Sequence, residues 1–192
     1  SSDLGQWAPS WSNVSIKTGL TPAELQIAGV RVGSPAVPIK DGRGPYCFGP
    51  KDNPMCAAWT FDDRAGMAEI LIVLEELKTA NIIPENPLII AFTVHEEGGC
   101  HGAKSLAFKE RPEIFIAIDG CPVLEQDGLK LDGSPATWSK DRFCNYNQDL
   151  IKAFVDAAEH AGTELQIAVY DSAASDASAV YNAGLAPKVG FL

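Results

Sequence analysis

Residues Pro87–Gly99 read PLIIAFTVHEEGG. The nearly continuous apolar run from Pro87 to Val94 has the composition of a strand covered on both faces, so it predicts an interior strand of an α/β sheet. It ends in Glu96-Glu97 and then Gly98-Gly99, a pattern that is poor turn chemistry and poor helix entry. The glycine pair points instead to close backbone approach. Two other apolar runs end the same way. Ala57–Phe61 (AAWTF) leads into Asp62-Asp63, and Ile114–Ile118 (IFIAI) leads into Asp119-Gly120.

Around these runs strands and helices alternate. Arg64–Lys78 carries Met67, Ile70, Leu71, Leu74 and Leu77 on one helical face. A short helix is expected near Ala103–Phe108 and a longer one over Asn147–His160, where Leu150, Ile151, Phe154, Val155 and Ala158 recur at helical spacing. Leu165–Tyr170 reads as a strand, Asp176–Asn182 as a helix and Lys188–Phe191 as a strand. The pattern predicts an α/β fold, a mostly parallel mixed sheet with helices on both faces. The first part differs: it is rich in Pro and Gly, with short β-like runs at Val14–Thr18 and Ala36–Ile39. A helix start at Thr21-Pro22-Ala23-Glu24 and a loop over Asp41–Pro54 complete it. We therefore divide the chain into part of a small β-rich domain, residues 1–55, and a catalytic α/β domain, residues 56–192, incomplete at its C-terminal end.

With 192 residues, 46% of them hydrophobic, the chain can bury a real core. Its net charge of −10 argues against nucleic acid and anionic membrane as partners. The longest apolar stretches fall far short of the roughly 20 residues of a membrane span. Five irregularly spaced cysteines read as thiols rather than a disulfide framework, in keeping with an acidic cytoplasmic protein. The first methionine is Met55 and the last residues stop in mid-strand, so the chain is expected to be the middle of a longer protein.

In an open α/β sheet, ligands bind beyond the carboxyl ends of the strands. Parallel strands would gather Asp62, Asp63, Glu96, Glu97 and Asp119 at one edge, where anions repel and resist desolvation. Arg64 alone cannot neutralise them, so a divalent metal site is the economical solution. Taken singly, Asp62-Asp63 reads as a helix cap and Asp119-Gly120 as a turn. The three acidic ends together favour the site. Adjacent glutamates on an extended chain point to opposite sides, so one can face metal and the other substrate, an arrangement suited to metal-assisted hydrolysis.

Five stretches, in this order, resemble the dinuclear-metal aminopeptidases of the glutamyl and tetrahedral aminopeptidase family, whose catalytic fold is shared with other co-catalytic zinc exopeptidases. They are Val14–Val37 (VSIKTGLTPAELQIAGVRVGSPAV, with Ser34 in place of the usual Asp), Phe61–Gly66 (FDDRAG), Phe92–Gly102 (FTVHEEGGCHG), Ala117–Gly120 (AIDG) and Ala174–Leu185 (ASDASAVYNAGL). The resemblance implies that Asp62 bridges two divalent metal ions, Zn2+ or Co2+, and that the Asp62–Asp63 peptide is cis. It implies Glu96 as general base, Glu97 and Asp119 as ligands of one metal each, and Asp176 near the substrate end. It also implies two further histidine ligands, at positions that fall outside residues 1–192 of this sequence.

His95, His101 and His160 are expected in structural or surface roles, although His95 is a conceivable replacement ligand. Cys100 and Cys121 lie near the proposed site and are soft donors, but a buried small hydrophobe is the commoner role of cysteine. The implied function is an aminopeptidase acting on peptides, homo-oligomeric at full length, with an apolar surface near Trp7 and Trp11 favouring association. Two alternatives stand beside it: an inactive homologue or fragment serving as an assembly module, and a deacylase or carboxypeptidase on the same fold.

Overall fold

The structure is a computed structural model and describes residues 10, 14–123 and 128–192. The chain forms two compact units, residues 1–44 and 45–192.

In the first unit, helix α1 spans Pro22–Ile27 and starts as its sequence dictates. The Glu24 amide donates to Thr21 Oγ1 at 3.3 Å, and Glu24 Oε2 accepts from the Thr21 amide at 2.7 Å, a reciprocal capping box. Val14–Thr18 and Ala36–Ile39 are not strands. Alternation prepares a chain for pairing, but a strand exists only where a neighbour exchanges backbone hydrogen bonds with it, and among the described residues neither segment has one. The surface expected near Trp7 and Trp11 lies outside the described residues.

The second unit opens with an antiparallel hairpin, β1 (Tyr46–Phe48) and β2 (Met55–Ala57), in the register Tyr46↔Ala57, Cys47↔Cys56, Phe48↔Met55. The stretch expected as a loop, Asp41–Pro54, thus contains β1. Its glycines and prolines flank the strand and build the turn, and they hide three residues that pair. Helices α2 (Phe61–Thr79) and α3 (His101–Glu110) follow, then strand β3 (Ile114–Ala117). Next come β4 (Ala136–Lys140), α4 (Gln148–His160), β5 (Gln166–Val169), α5 (Asp176–Asn182) and β6 (Lys188–Phe191). Strands β3 and β6 are parallel, as are β4 and β5, so the unit is mixed α/β with parallel strands and intervening helices. Helix α5 packs against β3 and β6 and α3 against α5, while α4 packs against β4 and β6.

The core sits where these elements meet. Trp138 of β4 stacks on Phe191 of β6 with centroids 3.9 Å apart and planes at 11°, and it meets Tyr170 at 4.8 Å. Its indole N–H donates to Cys121 Sγ at 3.3 Å, so the ring is buried without stranding its polar atom. Fully buried Thr137 donates to the Phe191 carbonyl at 2.5 Å, which ties β4 to β6.

Pro87–Val94, expected as a covered interior strand, pairs with no other strand among the described residues. Leu88, Ile89, Phe92 and Val94 are exposed there, as are Met67, Leu71 and Leu74 on the apolar face of α2. The apolar pattern is present in both segments, but most of its large side chains stay exposed, and burial needs a second surface.

Candidate metal centre

The site is assembled at three breaks in regular structure. The first is the entry to α2. Thr60 is left-handed (φ 58°), the Asp62–Asp63 peptide is cis, and both aspartates have non-helical φ and ψ. Regular helix begins after them, and Asp63 caps it: Oδ1 accepts from the Gly66 amide at 3.0 Å. Capping therefore accounts for Asp63 and leaves the carboxylate of exposed Asp62 free of that task. Gly66 permits the approach, because a Cβ there would lie 2.6 Å from Asp63 Oδ1 and 2.8 Å from Ile118 Cγ2.

The second break is the turn from His95 to Cys100. Both end residues are left-handed, with φ of 59° and 56°. Such conformations cost free energy in non-glycine residues, and here they bracket the glutamate pair. The turn is closed by amides of Gly99 and Cys100 donating to the Glu96 carbonyl, both at 2.9 Å, and by Gly102 donating to Val94 at 2.9 Å. A Cβ on Gly102 would sit 2.5 Å from the Val94 nitrogen, so only glycine lets α3 start this close to the preceding segment. The turn points Glu96 inward, half-buried, and leaves Glu97 exposed.

The third break is the N-terminus of α5. Buried Ser175 is the cap, its Oγ accepting from the Ser178 amide at 3.3 Å, and Asp176 is the first helical residue. Thr93 donates to Asp176 Oδ2 at 2.7 Å, whereas the buried Oδ1 has no hydrogen-bond partner.

These breaks bring Glu96, Cys100 and Asp176 together, with one ligand atom from each lying within 4.8 Å of the others. Cys100 Sγ approaches Glu96 Oε1 at 3.6 Å. Burial pushes the Cys100 thiol up to about 12, reinforced by the negative charge of Asp176 and Glu96. Glu96 is held above the usual carboxylate range, by desolvation first and then by Asp176, with smaller contributions from Glu97 and Asp62.

Asp119 lies beyond the end of β3, where its amide donates to the Leu192 carbonyl at 3.1 Å and its own Oδ1 accepts from Gly120 at 2.6 Å. Desolvation pushes it up to about 7 against that hydrogen bond, helped by the charges of Asp62, Glu96 and Asp63. A cavity of about 570 Å³ adjoins Asp62, Asp63 and Asp119.

Of the residues expected from sequence, Asp62, Asp119 and Asp176 each interact electrostatically with Glu96. Glu97 sits at the rim, exposed, and contributes charge at Glu96. Cys100 is drawn into the cluster; its signal was only its place one helical turn after Glu96, which a buried structural cysteine would share. Thr93 was not singled out at all, and nothing in its local sequence marks it as the donor to a carboxylate far along the chain. Among the described residues no histidine joins Glu96, Cys100 and Asp176. His160 caps the end of α4 through Nδ1 and the Asp156 carbonyl, and His95 and His101 are exposed.

A carboxylate oxygen buried without a partner, and half-buried Glu96 and Asp119 crowded by the charge of Asp62, have the chemistry that a divalent cation satisfies. The residues fit a divalent metal on that ground.

The fold is similar to that of solved aminopeptidases. Aminopeptidase APDkam598 from Desulfurococcus kamchatkensis is similar in fold, with a TM-score of 0.64 at 24% identity over 90% of this chain and 48% of that one. The Pyrococcus horikoshii TET1 peptidase, which assembles into a tetrahedron or a large octahedral shell, matches with a TM-score of 0.59 at 32% identity, covering 68% of this chain and 38% of that one. A curated relative from Acetivibrio thermocellus is 30% identical over 125 residues, 62% of this chain and 37% of that protein.

The family is shown by the sequence itself: residues 3–190 match the model of the M42 glutamyl aminopeptidases, and the chain belongs to that family. It spans less than half the length of each of these three relatives.

Proposed function

We propose that the chain is part of a metal-dependent aminopeptidase that removes N-terminal residues from peptides. The observation that carries this reading is the electrostatic crowding of Glu96 with Asp62, Asp119 and Asp176 in an M42 chain. Asp62 would hold both metal ions, with Glu97 and Asp119 each holding one. Two divalent cations, Zn2+ or Co2+, would supply Lewis-acid polarisation of the scissile carbonyl and a lowered pKa for water. Glu96 takes the proton of the attacking water and returns it to the leaving amine. Asp176 stands on the substrate side of Glu96.

On the same reading, residues 1–55 contribute to a smaller domain through which a longer protein self-associates; the TET1 peptidase, for its part, assembles into a tetrahedron or an octahedral shell. The reading takes the protein as cytoplasmic; no helix among the described residues is long and apolar enough to cross a membrane.

The test is elemental analysis after dialysis into metal-free buffer, paired with hydrolysis of aminoacyl nitroanilides. We expect bound divalent metal, and Glu96→Gln should keep that metal while losing at least about a hundredfold in turnover, the usual span of a general base. Retained turnover in Glu96→Gln overturns its role. Absence of metal favours the assembly-module alternative.

A further inference from the structure

The hairpin at the start of the second unit carries a feature the aminopeptidase reading does not use. Cys47 and Cys56 are register partners on β1 and β2, so their side chains stand on the same face. Their Sγ atoms lie 2.9 Å apart, inside van der Waals contact, and both residues are exposed. Directly opposed residues on antiparallel strands have Cα atoms about 4.5–5.5 Å apart, within the span a disulfide bridges.

The remaining cysteines are placed differently. Cys100 and Cys144 are buried, and Cys121 is half-buried against the Trp138 indole and the Tyr170 hydroxyl. Access and proximity, both of which favour thiol–disulfide exchange, therefore coincide at Cys47 and Cys56.

We propose that Cys47 and Cys56 are a reversible redox site, a vicinal dithiol that exchanges with low-molecular-weight disulfides. The thiolate of one cysteine attacks a sulfur of oxidised glutathione. The glutathione S–S bond breaks, one glutathione thiolate leaves, and a mixed disulfide forms. The second cysteine, as thiolate, attacks the protein sulfur of that mixed disulfide and expels the other glutathione. Two protein thiols are oxidised to one cystine, one glutathione disulfide is reduced to two thiols, and the two protein protons end on the released glutathiones. The cystine closes the turn between β1 and β2. Strand β2 ends at Ala57, shortly before the Thr60–Asp63 break, so the crosslink lies close in sequence to that part of the candidate metal centre.

The experiment equilibrates the chain across glutathione buffers of increasing oxidised fraction, followed by acid quench, alkylation under denaturing conditions and peptide mapping by mass spectrometry. We expect an intramolecular Cys47–Cys56 crosslink that rises to the major species and reverses on reduction, while Cys100 and Cys144 remain alkylated. In Cys47→Ser, Cys56 should instead accumulate as a stable glutathione adduct, raised severalfold over the wild-type level. The proposal is overturned if both cysteines stay alkylated across the series. It is equally overturned if wild type accumulates an adduct on each cysteine or forms crosslinks between chains.

Discussion

The Thr93 hydroxyl donates to Asp176 Oδ2 at 2.7 Å across 83 positions of sequence. That single bond fastens the segment carrying Glu96 to the helix carrying Asp176, and it orients Asp176 so that Oδ1 is left buried without a partner. Hydrogen bonds to ionised acceptors are the stronger kind.

Thr93→Val keeps the shape and removes the donor. It should lower stability by about 1–3 kcal/mol, because a largely desolvated carboxylate is left with nothing in exchange. Urea denaturation at neutral pH measures the loss, and Thr93→Ser should recover most of it. An unchanged midpoint in Thr93→Val beside a loss in Thr93→Ser would show that the methyl group matters and the hydroxyl does not.

A second anchor lies beneath α5. Fully buried Asp141 accepts from the amides of Phe143 and Cys144 at 2.8 and 3.0 Å and from the Tyr146 hydroxyl at 2.9 Å. The same hydroxyl meets Ser175 Oγ at 2.7 Å, the group that caps the helix beginning at Asp176. Tyr146→Phe leaves Asp141 Oδ2 and the Ser175 cap short of a partner, so we expect a loss of about 1–3 kcal/mol in chemical denaturation. An unchanged midpoint would remove this network from the account of how Asp176 is held.

The acidic cluster should reverse the ordinary pH dependence of a carboxylate. Asp119 is raised from 3.8 to about 7, and Glu96 and Asp63 are raised as well. A carboxyl whose folded pKa exceeds its unfolded value binds more protons in the fold, so it disfavours folding increasingly as pH rises through the interval from 3.8 to about 7. In metal-free buffer the melting temperature should therefore fall between about pH 5 and about pH 8, and Asp119→Asn should flatten that slope. Added divalent cation should raise the melting temperature more at the upper end of the range, where it competes with fewer protons. A metal-free melting temperature that climbs with pH would contradict the crowding of these carboxylates.

Local signals made several elements legible. Thr21 and Glu24 form their capping box, Asn147 caps α4 through the Leu150 amide at 3.0 Å, and the spacing of Leu150, Ile151, Phe154 and Val155 set that helix's inward face. Strand β4, ATWSK, carries no apolar run and was missed. It is buried by what reaches it from elsewhere, namely the Phe191 ring on Trp138 and the Phe191 carbonyl on Thr137. Strand β1 hid among glycines and prolines for a related reason, since only its pairing with β2 distinguishes it from a turn.

Sequence by itself determined the α/β order and the membership that FDDRAG, FTVHEEGG and AIDG announce, because residue type and short-range spacing are local properties. Tertiary structure alone decided that Glu96 meets Asp176 and Cys100, that Thr93 supplies the donor and that Cys47 faces Cys56. Each of those contacts depends on the exact turn of a backbone, such as the left-handed His95 and Cys100 or the register of one hairpin, and a shift of one residue there would send the side chain to the opposite face.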